Sequence, residues 1–369
     1  MDRLPPKLVR RLVIVPAALL VCLLLLVGSP LMFAAATVVD VGLRNHRWST
    51  VRLVAFALGY SALEVCGLVA MFALWIASGF GVTIRGEAMQ RHHYGFMRWW
   101  LQAINKVASR TFHLRVAIEE PPQPRAGPIL VFSRHAGPGN SLLLIGTLIV
   151  GYRRRPRIVM LNKLQWEPLY DVMLNRVPNR FIRHDPDNRR RYIDAITELA
   201  TGMGDTDAFV LFPEGKDFTP RVRLRAIDYL RGKGHLAAAE RAERMKHVLP
   251  PRHNGVIAAM DGAPDAEIVL VAHSVLEDVG SFKELWARVP FDRPVTARYW
   301  RIPANDVPHA PDELIAWLYD WWERIDAWVA DRMVRSGVGR KRDPGQEPVR
   351  LSQGEAAEGR AEHDRRDDR

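Results

Sequence analysis

Two stretches of the sequence bring reactive side-chain types to the ends of apolar runs. The first, Ile129 to Ser133, leads into Arg134, His135, Ala136, Gly137, Pro138, Gly139, Asn140 and Ser141, so a histidine is presented where a predicted strand ends. An imidazole with one nitrogen facing a hydroxyl and the other held by an acceptor can work as a general base. Gly137, Pro138 and Gly139 interrupt any continuous helix, so Asn140 is expected to turn back and offer its amide oxygen to the ring. The competing reading is that Asn140 or Ser141 merely caps the helix that follows. The second stretch ends another apolar run with Leu211, Phe212, Pro213, Glu214, Gly215, Lys216, Asp217, Phe218, Thr219 and Pro220. A buried strand that closes on Pro-Glu-Gly is unusual.

Positioning those residues calls for a sheet with its connecting helices. Short β-type runs at Ile129 to Ser133, Arg157 to Leu161, Phe181 to His184, Ala208 to Phe212 and Glu267 to Ala272 alternate with helical patterns. The helices are expected at Ser141 to Val150, Asn188 to Thr201, Arg221 to Met245 and Pro311 to Val334, which together read as an α/β mixed sheet flanked by helices. The stretch from Arg85 to Arg115, rich in Trp, His, Met and Arg, suits either an interfacial helix lying on a bilayer or a core helix. His273, in the last apolar run, reads as a core residue.

The N-terminal part is of a different kind. No charged side chain occurs from Leu12 to Val39, and from Leu53 to Phe80 only Glu64 interrupts the apolar run. Each stretch exceeds the roughly 30 Å of a hydrocarbon layer when helical, so a two-helix transmembrane hairpin is expected. Arg3, Lys7, Arg10, Arg11, Arg85, Arg91 and Arg98 flank it and favour both ends in the cytoplasm, as part of a multi-pass membrane protein. A cleaved signal peptide is the alternative for the first run, and Glu64 reads as a structural acid within the second. The expected organisation is therefore a membrane anchor over 1–84, a catalytic domain over 85–334 and a charged, disordered tail over 335–369.

A net charge of +11 in 369 residues suits anionic lipid, a phosphorylated substrate or nucleic acid. The basic residues are dispersed and no nucleic-acid reading module is present, so no nucleic-acid partner is expected. Cys22 and Cys66 both lie in apolar stretches, which excludes a Cys-x-x-Cys metal pair.

Together the motifs resemble the glycerolipid acyltransferase family that includes 1-acylglycerol-3-phosphate acyltransferases. The first family block, a histidine, four residues and an aspartate, is matched by His135 and, with a substitution, Asn140; the second, Phe-Pro-Glu-Gly, is matched by Phe212, Pro213, Glu214 and Gly215. Lys163, Trp166 and Pro168 match further, and the segment from Lys246 to Gly255 resembles the branch that contains lysocardiolipin acyltransferases. The resemblance covers about Ile129 to Val334 and implies transfer of a fatty acyl group from acyl-CoA or acyl carrier protein to a lysophospholipid. His135 would be the base, with no metal or bound cofactor. It also implies an arginine for the acceptor's phosphate. His184 stands where that arginine is expected, so the role falls to Arg183 or Arg180, while Gly215 and Lys216 offer backbone N–H groups to a phosphate. Asn140 in place of the family's aspartate supports a second reading, a low-activity or inactive homologue serving as a membrane lipid-binding or scaffold protein.

Overall fold

The computed structural model describes residues 4–119, 125–135, 137–182, 189–274 and 282–335. Among them, seven strands form one sheet: β1 (Val116–Glu119), β2 (Ile129–Ser133), β3 (Arg155–Leu161), β4 (Arg180–Ile182), β5 (Asp207–Leu211), β6 (Glu267–Ser274) and β7 (Val295–Ile302). Their order is β1-β7-β6-β2-β5-β3-β4. Every pairing is parallel except β6 with β7. β2 and β5, side by side with Ile129 opposite Ala208 and Phe132 opposite Leu211, are buried along their whole length. That burial is why they read as unbroken apolar runs.

Helices α1 (Lys7–Val27), α2 (Ser29–Gly42), α3 (Ser49–Ala77) and α4 (Glu87–Phe112) precede the sheet. The others are α5 (Pro138–Gly146), α6 (Pro168–Leu174), α7 (Arg189–Ala200), α8 (Pro220–Gly232), α9 (Leu236–Arg244), α10 (His253–Gly262), α11 (Phe282–Arg288) and α12 (Pro311–Arg335). The single helix expected over Arg221 to Met245 is two, because the chain turns at Gly234, which holds φ +77°. Strands β1 and β7 and helices α6, α10 and α11 add to the expected set. α4 buries His93, Met97, Trp100, Leu101 and Ile104, so it is a core helix on that face, with Trp99 exposed.

α1 and α3 are long and apolar enough to cross a membrane. α3 also makes polar contacts with later parts of the chain. At its start, Ser49 Oγ donates to the Val289 carbonyl at 3.0 Å, Arg52 Nη1 to the Thr111 carbonyl at 2.8 Å, and Arg47 pairs with Asp292 at 3.1 Å. Midway, Glu64 Oε1 accepts the Leu169 N–H at 3.0 Å. Further along, Arg176 Nη1 donates to the Met71 carbonyl at 2.7 Å. Close approach is built into the sequence: a Cβ on Gly59 would meet Val107 Cγ1 at 2.7 Å, and one on Gly67 would meet Leu169 Cδ2 at 2.5 Å. The α/β body thus touches α3 from Ser49 to Met71, a length of about 33 Å at 1.5 Å per residue.

The two long apolar helices expected in the N-terminal part are present as α1 and α3, and one face of α3 packs on the α/β body. Glu64 has a structural task, satisfying an N–H at the start of α6. Arg10 and Arg11 are not loose flanking charges either, since both reach the buried Asp171 of α6, at 3.0 Å and 3.2 Å. α1 and α2 present Leu12, Leu20, Leu24, Val27, Leu31 and Val38 to the outside. Helices α1 to α3 and the sheet belong to one compact unit ending at Arg332. Residues 336–369, expected as a charged tail, lie outside the described residues.

This packing makes a direct prediction. In a Cys22→Ser, Cys66→Ser background, cysteines replacing Arg47 and Asp292 should be joined within one chain by a short thiol cross-linker in intact membranes. Efficient labelling of the position-47 cysteine from the face opposite the α/β body, without cross-linking, would show instead that α3 carries position 47 across the membrane.

Candidate active site

β2 and β5 end side by side, and the residues that follow them meet at their carboxyl ends, the usual location for ligands on a parallel sheet. After β5, Phe212 to Gly215 form a tight turn closed by the Gly215 N–H to Phe212 carbonyl bond at 3.0 Å. Gly215 sits at φ +68°, a left-handed conformation that favours glycine, with the Arg252 guanidinium packed close over it.

After β2 the chain leaves as an irregular segment. Gly137 at φ +109° precedes α5, which starts at Pro138, so the helix break lies ahead of Pro138 rather than across it. Asn140 accordingly sits in the first turn of α5, buried, and the N-cap position belongs to Gly137 rather than to Asn140 or Ser141. The carboxylate that reaches the imidazole is another one: Asp217 Oδ1 lies 3.3 Å from His135 Nε2. Phe212 stacks on the imidazole with centroids 4.5 Å apart. The ring is 23 % exposed, with Nδ1 enclosed by protein and Nε2 on the Asp217 side. Burial pulls the His135 pKa below its ordinary value; Asp217 opposes that shift and Lys163 adds to it.

Glu214 holds this end of the sheet together. Its Oε1 accepts the His135 N–H at 3.4 Å and its Oε2 the Leu249 N–H at 3.1 Å, while the Pro213 carbonyl accepts the Arg252 N–H at 2.9 Å. Burial pushes the Glu214 carboxyl up to about 8, against the pull of the Arg134 charge and of those two N–H donors. Glu214 thus buttresses the site instead of facing it. His273 is a core residue, as expected: its Nε2 donates to the Arg134 carbonyl at 3.0 Å, and burial beside Arg134 holds it neutral, with a pKa of about 3.

The expected phosphate ligands fare unevenly. Arg183 lies outside the described residues. Arg180, in the edge strand β4, is ion-paired with Glu198, so its guanidinium already has an anion. Lys216 is exposed next to the turn. The cation that sequence reasoning missed is Arg252, exposed and packed over Gly215. Its signal was the Pro-Pro-Arg run inside a segment that had been given a likeness but no task. Leu161, Leu164 and Trp166, at and after the end of β3, are exposed, and Arg10 bonds Gln165 within that segment at 3.0 Å.

No family model matches this chain, no curated protein matches it, and nothing in the comparisons supports the lysocardiolipin branch. Among solved structures, the crystal structure of the 1-acyl-sn-glycerophosphate (LPA) acyltransferase, PlsC, from Thermotoga maritima is similar to it. The identity is 14 % and the TM-score 0.39, over 75 % of this chain and 99 % of that one.

Both Glu214 oxygens face backbone donors, so the amide in Glu214→Gln would turn an NH2 group toward one of them. Glu214→Gln should lower unfolding stability by about 1–3 kcal/mol. Denaturant titration checks this, and a change below about 0.5 kcal/mol would mean that the turn is held by other contacts.

Proposed function

We propose that this chain is a membrane-associated acyltransferase that moves a fatty acyl group from a thioester, acyl-CoA or acyl carrier protein, to a hydroxyl of a lysophospholipid. The observation that carries the reading is the placement of His135 at the end of β2, stacked on Phe212, with Arg252 and Lys216 at the adjoining turn. A partly exposed imidazole suits removal of a proton from a hydroxyl, and the cations suit a phosphate on the substrate that bears it.

In the proposed reaction, neutral His135 takes the acceptor's hydroxyl proton as the oxygen attacks the thioester carbonyl. The tetrahedral intermediate expels the thiolate, which recovers the proton from the imidazolium. An ester C–O bond forms, the C–S bond breaks, and no metal or bound cofactor enters the step. The exposed Leu161, Leu164 and Trp166 and the outward faces of α1 and α2 would seat the protein on a bilayer, where both acyl chains reside. In this reading the body faces the cytoplasm, where the thioester is made, and nucleic acid has no part.

Labelled acyl-CoA supplied with a panel of lysophospholipids in vesicles tests the proposal. Product should form with wild type and fall at least a thousandfold with His135→Ala. Because burial lowers the His135 pKa, kcat/KM should stay high down to a pH below about 6.5 and decline only as His135 becomes protonated. Arg252→Ala should raise the acceptor's apparent KM about tenfold with a smaller change in kcat. Absence of any His135-dependent turnover across the panel would leave the alternative, a homologue that binds lipid or scaffolds without catalysis, which Asn140 favours.

A further inference from the structure

α8 and the start of α9 carry a surface that the proposed reaction leaves without a use. Over residues 216–236, six Lys and Arg stand against two Asp. Two of the cations are spent on the hairpin itself: Arg223 Nη2 donates to the Glu243 carbonyl at 2.8 Å, and Arg231 pairs with the Glu243 side chain. α9 is fixed in turn to α12, where Arg241 lies 2.8 Å from Glu323. Arg221, Arg225 and Lys233 are exposed, and among the described residues none bonds or ion-pairs with them.

Arg221, Leu224, Arg225, Asp228 and Tyr229 recur at the spacing of one helix face, which is turned outward while Ile227 is buried beneath it. Leu224 and Tyr229 are each 57 % exposed, and Leu236, the first residue of α9, is 62 % exposed. One exposed apolar side chain is ordinary, but several interleaved with free cations make the composition of a helix lying at a charged boundary between water and hydrocarbon. An acidic protein would answer the cations. A bilayer answers both sets, with phosphate for the guanidinium groups and hydrocarbon for Leu224, Leu236 and the Tyr229 ring. Asp228, on the same face, is outnumbered by Arg221 and Arg225.

We propose that the outer face of α8, with Leu236, is a second bilayer contact, selective for anionic headgroups and joined directly to the site around His135. α8 begins three residues after Asp217, whose carboxylate lies 3.3 Å from His135, and the Phe218 N–H donates to the His135 carbonyl at 2.9 Å. The start of α1 belongs to the same end of the sheet: the Lys163 charge acts on His135, and Arg10 bonds Gln165 two residues further on. An anionic surface is therefore drawn to the end of the body where His135 stands. The inference rests on the reading of the chain as membrane-associated and is independent of the chemistry at His135.

The test uses the full chain with Cys22→Ser and Cys66→Ser, labelled with an environment-sensitive fluorophore at a single new cysteine. Tyr229→Cys reports on α8, Leu24→Cys on α1, and Asp265→Cys, exposed before the amino end of β6, serves as the aqueous reference. With vesicles of equal phosphatidylcholine and phosphatidylglycerol, the label at 229 should shift to the blue and be quenched by nitroxide-bearing lipid. With phosphatidylcholine alone its response should be much weaker, and the label at 265 should stay in water with both. Adding Arg221→Ala, Arg225→Ala and Lys233→Ala together should return the response at 229 to that of phosphatidylcholine vesicles. At about fivefold per cation, the docking equilibrium falls about a hundredfold. A label at 229 that stays in water while the label at 24 enters the bilayer overturns the α8 contact and leaves membrane association intact. A label at 229 that responds to acyl carrier protein and not to vesicles overturns it in favour of an acidic protein. If neither 24 nor 229 responds to vesicles, the inference and the membrane-associated reading fail together.

Discussion

One buried guanidinium ties together everything at the working end of the sheet. Arg134, 0 % exposed, donates through Nε and Nη2 to the His247 carbonyl at 3.0 Å and 2.6 Å and through Nη1 to the His273 carbonyl at 3.0 Å. Its backbone N–H and carbonyl are used as well, by the Val271 carbonyl at 3.1 Å and by His273 Nε2. Phe218 lies over the guanidinium at 5.6 Å. Desolvating an arginine costs several kcal/mol, and charge-assisted bonds to carbonyls offset that cost only if all of them form together. Arg134 therefore couples the end of β2 to the end of β6 and to the segment around His247. The segment around His247 is anchored in turn to α12, since the His247 N–H donates to Asp326 Oδ1 at 2.5 Å.

His135 inherits its precision from that knot. Its neighbour in sequence cannot move without breaking contacts to two other elements, and its own N–H and carbonyl are held by the loop after β5. The imidazole is thus set by backbone constraints on one side and by the Phe212 ring on the other. The groups exposed around it are Lys216, Arg252 and Asp217.

Much of this was legible in the sequence where one local rule sufficed. β2 and β5 are buried on both faces, so their apolar runs marked them to within a residue, and the motif residues sit at their ends. β7 was not legible in that way: paired antiparallel with β6, it carries Arg298 and Arg301 between Ala297, Tyr299 and Ile302, so it shows no unbroken run. Asp217 and Arg252 were named within motifs yet given no task, because what they do depends on contacts between the loop after β5 and residues 135 and 215. Arg134 gave no signal at all. A charged residue at the end of a strand reads as an exposed terminus, and only the tertiary packing shows it enclosed.

The N-terminal helices show the same limit from the other side. Hydropathy counts apolar residues and is blind to what covers them, so a helix lined by lipid and one lined by protein score alike. In α3 the covering is protein on the face carrying Gly59, Glu64 and Gly67, where small residues and one acid let other helices approach. α1 and α2 then lie over α3 and turn Leu20, Leu24 and Val38 outward, while Arg10 and Arg11 reach Asp171 and Arg10 also bonds Gln165. The apolar surface is therefore locked by ion pairs to the same helix, α6, whose N-terminal N–H Glu64 satisfies.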